Sequence, residues 1–325
     1  MKDTLDRLTE KKQKIDNHRP LPSELTKNLE DWFRVELTYT SNAIEGNTLS
    51  RQETALVVEK GITVDGKTVK DHLEAINHAQ ALEFIKTLVN KKRGDVTQAD
   101  ILDLHRSILT KIDDANAGRY RAVAVRIAGS RVILPNALKV PELMDEYTVW
   151  LHTSNTDHPV TIAADAHFKF VSIHPFVDGN GRCGRLLMNL LLLQAGYPPA
   201  FIRKEDRKRY ITSIEQAQLG GSLDEYYKLM YEAVERSLDI YLEALEPKEA
   251  TKGKHTLLKI GALARGSGET VHSIRFWTKE GLLTVANITK GGYQLYDPSM
   301  IEKVKEIRRL QNEQRLTLKE IKERI

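Results

Sequence analysis

Along most of the first 245 positions apolar residues recur at three- and four-residue spacing, and β-branched alternation is nearly absent. That pattern predicts a body of amphipathic helices. "TIAADAHFKFVSI" (161–173) and "LDEYYKLMYEAVERSLDIYLEAL" (223–245) show the period clearly. One stretch departs from it: "YRAVAVRIAGSRVILP" (120–135) alternates Val, Val, Ile, breaks at "AGSR" and resumes with "VIL". It predicts a short β-hairpin bent at Gly129-Ser130, either an active-site flap or a plain surface hairpin. "EPKEATKGKH" (246–255) is polar and charged with a Pro and a Gly, and reads as a linker. From Leu257 the pattern predicts a short helix, a Gly-containing turn, a second helix and a β-wing at Gly291-Gly292. The fold class expected is mainly α, and no repeat at solenoid period is present.

A chain of 325 residues suggests two domains, and 41% hydrophobic content suffices for a core. Charge is unevenly placed: residues 251–325 carry 15 Lys+Arg against 8 Asp+Glu, whereas residues 1–250 carry 34 against 37. The basic excess is therefore C-terminal, as in a nucleic-acid-facing module. The start, "MKDTLDRLTEKKQKID", has no apolar signal region, and the longest apolar run, Leu186 to Leu193, is far shorter than a membrane span. A cytoplasmic protein without membrane contact is expected. The single cysteine, Cys183, excludes an intrachain disulfide framework; it reads as a small packing residue rather than a nucleophile.

The densest chemistry lies in "HPFVDGNGRCGR" (174–185), which runs straight into the leucine-rich segment. Pro175 bars the preceding turn from continuing as regular helix, while Gly179 and Gly181 permit conformations that expose consecutive N–H groups. The helix that follows adds its free N-terminal donors and its positive dipole end, so the loop reads as an anion cradle. Arg182 and Arg185, three apart, share a helical face and offer two guanidinium forks to phosphate oxygens. Asp178 would repel a phosphate unless a cation lay between them, which points to Mg²⁺. His174 is left as the proton acceptor. Phosphates held and neutralised beside a base describe nucleotidyl transfer; the plain alternative is a Gly-rich turn with a capping Asp and solvated arginines. A metal pair made of His167 and His174 lacks a third ligand at suitable spacing.

Residues 174–185 match the HPFx[DE]GNGRxxR signature of Fic proteins, and the chain resembles that family through "AGYPPAFIRKEDRKRY" (195–210), roughly over residues 30 to 240. The resemblance implies a Fic-type helical domain with a β-hairpin flap that transfers AMP from ATP to a Ser, Thr or Tyr hydroxyl of a target protein, itself included. It makes His174 the base and Asp178 the holder of Mg²⁺. Asn180 and the amides of Gly179 and Gly181 would cradle the phosphates, with Arg182 and Arg185 on the outer ones and Cys183 and Gly184 within the same nucleotide site. Phe176 would be a core anchor. Tyr210 and Gln218 fall where the family lines its adenine and ribose pocket, Gln218 replacing a common Asn. Ala128, Gly129, Ser130 and Arg131 would be the flap that aligns the target. The domains implied are an N-terminal helical region (1–95), a Fic catalytic domain (96–245), the linker (246–255) and a small winged helix-turn-helix domain (256–325).

In "SNAIEGNTLS" (41–50), Ser41 and Glu45 are one helical turn apart, Gly46-Asn47 ends that helix, and Ser50 with Glu53 forms a capping box for the next. The segment, motif 41–47, resembles the [ST]xxxE[GN] inhibitory helix of Fic proteins, whose Glu pairs with the last Arg of the signature, here Arg185. Such pairing would misalign ATP and slow transfer; the same Glu could instead position a water for removal of AMP. The C-terminal segments "SIRFWTKEGLL" and "GGYQLY" resemble the recognition helix and wing of MerR-type regulators, which implies His272, Ser273 and Arg275 near a DNA groove and Lys279 and Lys290 near phosphates. Gln294 stands where that family has an arginine, and the chain ends before a long dimerising helix, so DNA binding would need a homodimer formed elsewhere. Trp277 and Phe276 are expected in the core. A rival reading is a transcription regulator whose Fic fold only senses nucleotide.

Overall fold

The computed structural model describes residues 2–153, 157–245, 257–289, 293–314, 316–322 and 324. The expected linker at 246–255 and the wing residues Lys290, Gly291 and Gly292 lie outside the described residues. The chain divides into two compact units, Met1–Pro247 and Lys248–Ile325.

In the first unit the described helices are α1 (Lys2–Asp16), α2 (Ser23–Ile44), α3 (Arg51–Lys60), α4 (Val69–Leu88), α5 (Gln98–Leu109), α6 (Val140–Thr153), α7 (Pro159–Ile173), α8 (Asn180–Gln194), α9 (Arg207–Gln218) and α10 (Asp224–Leu245). Helix α8 is apolar from Leu186 through Leu192 except for Asn189, whose amide is bonded to the Ala200 backbone, and such a helix must be enclosed. It packs against α2, α4, α5 and α7, and Cys183, Leu190 and Leu192 on it are fully buried beside Phe170 of α7. Helix starts follow local chemistry: Ser50 with Glu53, Thr68 with Asp71 and Thr97 with Asp100 form capping boxes for α3, α4 and α5. Pro159 opens α7 at a position where a missing N–H costs nothing.

Residues 120–135 correct the sequence reading in one respect. The turn falls at Gly129 (φ 80), where Ser130 N–H donates to Ile127 O at 3.1 Å, but no strand ladder joins the arms. Two short arms form a marginal ladder in water, and here side chains hold them instead. Arg121 donates to Val123 O and Pro135 O at 3.2 and 2.6 Å, clamping the base of the flap. Glu215 of α9 accepts from Ser130 Oγ and Arg131 N at 3.0 and 2.9 Å, capturing its tip.

The second unit comprises β1 (Leu258–Lys259), α11 (Ile260–Ser267), α12 (Val271–Lys279), β2 (Asn287–Ile288), β3 (Gln294–Tyr296), α13 (Met300–Gln314) and α14 (Leu318–Lys322). Its sheet has the order β1-β3-β2, antiparallel, with Leu258 opposite Tyr296 and Asn287 opposite Leu295. Gly268 in the left-handed region (φ 72) makes the turn between α11 and α12. Leu263, Ile274, Trp277, Tyr296, Val304 and Ile307 form a core of its own.

Candidate active site

The signature loop begins where α7 stops. Pro175 cannot extend that helix, and His174 takes a left-handed conformation (φ 51) while its N–H still bonds Phe170 O at 3.0 Å. A non-glycine residue persists there only when its surroundings enforce it. Arg121 supplies the constraint, donating Nε–H to His174 O at 2.8 Å and its backbone N–H to Pro175 O at 2.9 Å. Burial lowers the His174 imidazole below its ordinary value; the Val171 carbonyl raises it, Arg121 lowers it further, and Glu45 and Asp178 act the other way. The ring is neutral at pH 7. Its Nδ1 faces Val171 O at 3.4 Å, which places the proton on Nδ1 and the lone pair on Nε2.

The bend is rigid from within. Phe176 is fully buried and stacks on His105 with centroids 3.6 Å apart. Gly118 N–H donates to His105 Nδ1 at 2.9 Å, so the ring proton is on Nε2, 3.0 Å from Asp178 O. Asn180 accepts from Phe176 N and donates to Phe176 O, both at 2.9 Å. Expected on the phosphates, the Asn180 side chain is instead wholly engaged in closing the loop.

Helix α8 opens at Gly179 (φ 80). A Cβ at Gly179 would come within 3.3 Å of the His105 ring, and one at Gly181 would collide with the Glu45 carboxylate. That carboxylate therefore occupies the space above the first amides of α8, where the free donors and helix dipole favour an anion. Arg185 meets it there: Nη2 donates to Glu45 Oε1 at 2.7 Å and to Ser41 O at 3.0 Å, and Nε donates to Ser41 Oγ at 3.0 Å. Burial pulls the Arg185 guanidinium down, but Glu45 and Tyr210 outweigh it and keep it above its ordinary value.

Arg182 and Arg185, expected to share one anion-facing side, diverge. Arg182 is 2% exposed and pairs with Glu74 of α4 and with Asp178, each at 3.2 Å. Its Nε–H is buried without a partner. Burial raises the Asp178 carboxyl, while Arg182 and the Gly179 N–H at 2.6 Å outweigh it and hold it below the usual range. The Asp178 side chain is half exposed. Among the described residues no group of three His, Cys, Asp or Glu could cage a metal. One ionised, accessible carboxylate fits Mg²⁺ all the same, because that ion is commonly held by one or two carboxylates plus substrate phosphates.

Cys183 is fully buried, and burial pushes its thiol far up, which rules out a nucleophile. Gly184 lies against Val171 and His167. Tyr210, expected beside adenine, is 3% exposed, with its hydroxyl on His167 and Arg185. Gln218 donates to Ser172 Oγ at 3.1 Å. The pairing of His167 and His174 as a metal site fails, because both His167 nitrogens are bonded to tyrosine hydroxyls. Arg121, His105, Glu74 and Glu215 were missed in the sequence; each acts on a residue far along the chain, and only Glu215, three positions before Gln218 on α9, stood at a spacing that could have marked it.

In the second unit His272, Arg275 and Lys279 line one concave face together with Phe276, Tyr293 and Gln294. Thr270 caps α12, accepting from Ser273 N at 3.0 Å, and its hydroxyl engages Ser273 Oγ at 2.9 Å. Trp277 is buried, under Arg308. Phe276 is not: it is 46% exposed, because Ile274 and Trp277 face the core and the two residues between them turn away.

Fold and site together define a helical protein that cradles an anion at a helix N-terminus beside a neutral histidine. Residues 95–192 match the family model of the Fic/DOC family, and residues 258–325 that of the MerR HTH family regulatory protein. The structure is similar to that of Fic-1 (aa134–508) from C. elegans, with TM-score 0.70, 30% identity, and 76% of this chain and 73% of that one covered. A Fic domain containing signalling protein from Bacteroides thetaiotaomicron gives TM-score 0.67 and 27% identity, covering 76% and 99%. "Protein adenylyltransferase Fic" of Culex quinquefasciatus is 36% identical over 241 residues, 74% of this chain and 47% of its own, and that of Drosophila melanogaster 40% over 208 residues, 63% and 42%. The chain belongs to the Fic family. It spans under half the length of these curated relatives.

Proposed function

We propose that the chain is a protein adenylyltransferase that moves AMP from ATP to a Ser, Thr or Tyr hydroxyl of a target protein and is held in check by Glu45. The observation that carries the reading is the Glu45 carboxylate seated over the α8 N-terminus and bonded to Arg185: an anion already stands where a phosphate would. Names of the relatives support the same activity.

In this reading the amides of Gly179 and Gly181 bind phosphate oxygens, and Arg185, once released, takes the outer ones. Asp178 would hold Mg²⁺, which would supply charge neutralisation along the phosphates. His174 Nε2 accepts the proton of the target hydroxyl; the hydroxyl oxygen bonds to the α-phosphorus as the bond to pyrophosphate breaks, and pyrophosphate leaves. The flap 128–131, anchored by Arg121 and Glu215, aligns the target. Gln218, on the same face of α9 as Glu215, lines the base and ribose side.

The second unit would direct the enzyme to DNA through His272, Ser273, Arg275 and Lys279, with Lys290 of the wing. Basic side chains interleaved with exposed Phe276 and Tyr293 on one concave face support this. A homodimer would supply the second half-site reader. No helix among the described residues is long and apolar enough to cross a membrane. The test is incubation of wild type, Glu45→Gly and Glu45→Gly/His174→Ala with Mg²⁺ and α-labelled ATP, read by intact mass. AMP gained by the single variant alone supports the reading. Loss of AMP from a pre-modified target with wild type, but not with Glu45→Gly, would move it to AMP removal.

A further inference from the structure

Behind Arg185 runs a line of buried side chains from three helices. Arg185 Nη1 lies 3.4 Å from Tyr210 Oη, Tyr210 Oη lies 2.8 Å from His167 Nε2, His167 Nδ1 lies 2.9 Å from Tyr226 Oη, and Tyr226 donates to Ala164 O at 2.7 Å. His167 and Tyr226 are fully buried, Tyr210 is 3% exposed and Arg185 5%.

The two ends fix the direction of every proton between them. A carbonyl only accepts, so the Tyr226 hydroxyl hydrogen goes to Ala164 O and its oxygen is left to accept from His167 Nδ1–H. A neutral imidazole protonated on Nδ1 carries its lone pair on Nε2, which takes the Tyr210 hydroxyl hydrogen. The Tyr210 oxygen is then turned, lone pairs outward, toward Arg185. A guanidinium only donates, so the chain is consistent from both ends; the other tautomer would set the His167 Nδ1 lone pair against the Tyr226 oxygen, or cost Tyr226 its bond to Ala164 O.

We infer that His167, with Tyr210 and Tyr226, forms a one-way relay that positions Arg185 for the outer phosphates, so that His167 is a positioning residue for the reaction. The role rests on the adenylyltransferase reading above. Gly184 belongs to the same arrangement, since a Cβ there would press within 3.2 Å of the His167 ring. On its other side Arg185 is held by Ser41 and Glu45. When Glu45 gives way, one Nη2–H is freed for phosphate while Ser41 and the relay keep the guanidinium in place, so little reorganisation remains for substrate to impose. Burial, then the Arg185 charge, pushes His167 down to about 3, which keeps the ring neutral as the relay requires.

Two measurements on the full chain test this. In ¹⁵N-histidine spectra of wild type, His167 should show the Nδ1–H tautomer and no titration from pH 5 to 8; an Nε2–H tautomer or protonation in that range overturns the relay. On the Glu45→Gly background, Tyr210→Phe and His167→Leu should weaken ATP binding about 10-fold, a typical loss for one hydrogen bond to a charged group, and leave AMP binding unchanged. His167→Gln, whose amide oxygen can still accept from Tyr210, should recover most of the ATP affinity. Equal weakening of ATP and AMP, or no difference between Gln and Leu, overturns the positioning role and leaves only packing. Absence of any ATP binding by Glu45→Gly itself overturns the adenylyltransferase reading and this role with it, whatever the tautomer.

Discussion

Replacing Glu45 with glycine removes one contact with a legible magnitude. Glu45 Oε1 lies 2.7 Å from Arg185 Nη2, with the arginine side chain 6% exposed and the glutamate 36%. Hydrogen bonds to charged groups contribute about 1.5–3 kcal/mol, and solvent at the glutamate argues for the lower half of that range. At 1.4 kcal/mol per factor of ten, the closed arrangement is favoured by about 10- to 40-fold, and AMP transfer by Glu45→Gly should rise by that factor. Stability should fall by no more than about 1–2 kcal/mol. Arg185 keeps its two bonds to Ser41, Glu45 is the C-cap of α2 with φ −85 and ψ 0, which glycine also adopts, and the carboxylate's unfavourable place at the C-terminus of α2 offsets part of its favourable one at the N-terminus of α8. The assay is the initial rate of AMP incorporation from α-labelled ATP, with ATP affinity and thermal midpoint measured in parallel. Equal rates in wild type and Glu45→Gly, with ATP bound by both, would refute the brake; a rise accompanied by a large fall in midpoint would refute the argument that the contact is local.

Other outcomes follow from the same geometry. On the Glu45→Gly background His174→Ala should abolish transfer with ATP affinity retained, and the rate in the parent should climb with pH through a midpoint below the ordinary 6.5, since burial first of all lowers His174 and the base is active above that point. Acid should unfold the first unit early. His78 and His167 are pushed down to about 3 and His105 to about 4, in each case chiefly by burial; their folded values lie below the unfolded 6.5, so the unfolded state takes up more protons and stability present above pH 6.5 is lost as pH falls. Near pH 5 the three together cost about 6 kcal/mol, to be read by denaturant titration at pH 7, 6 and 5; a flat profile contradicts it. Arg121→Ala leaves the carbonyls of Val123, Pro135 and His174 without their donor, and tryptic cleavage after Arg126 and Arg131 should accelerate. In the second unit, Lys279→Ala should weaken DNA binding and reduce its salt slope by about one; unchanged affinity points to a protein partner.

Apolar spacing was enough for the helices α7 and α10, the leucine-rich run for α8, and glycine and capping residues for the turn at Gly129 and the break after α2, because all of these act within a few positions. The motif 174–185 likewise announced an anion site, since a glycine-rich bend entering a helix exposes the same donors whatever surrounds it. What lay outside the reach of the sequence was which side chains those donors and cations would meet. Asn180 closes the bend on Phe176, Arg182 is drawn to Glu74, Tyr210 faces His167, and the flap is held by Arg121 and Glu215 instead of a strand ladder. Glu74 and His167 come from other helices, tens of residues away, and burial makes the choice. Away from water a buried donor left without an acceptor is costly, and only the packing of α2, α4, α5 and α7 around α8 determines which acceptor is within reach.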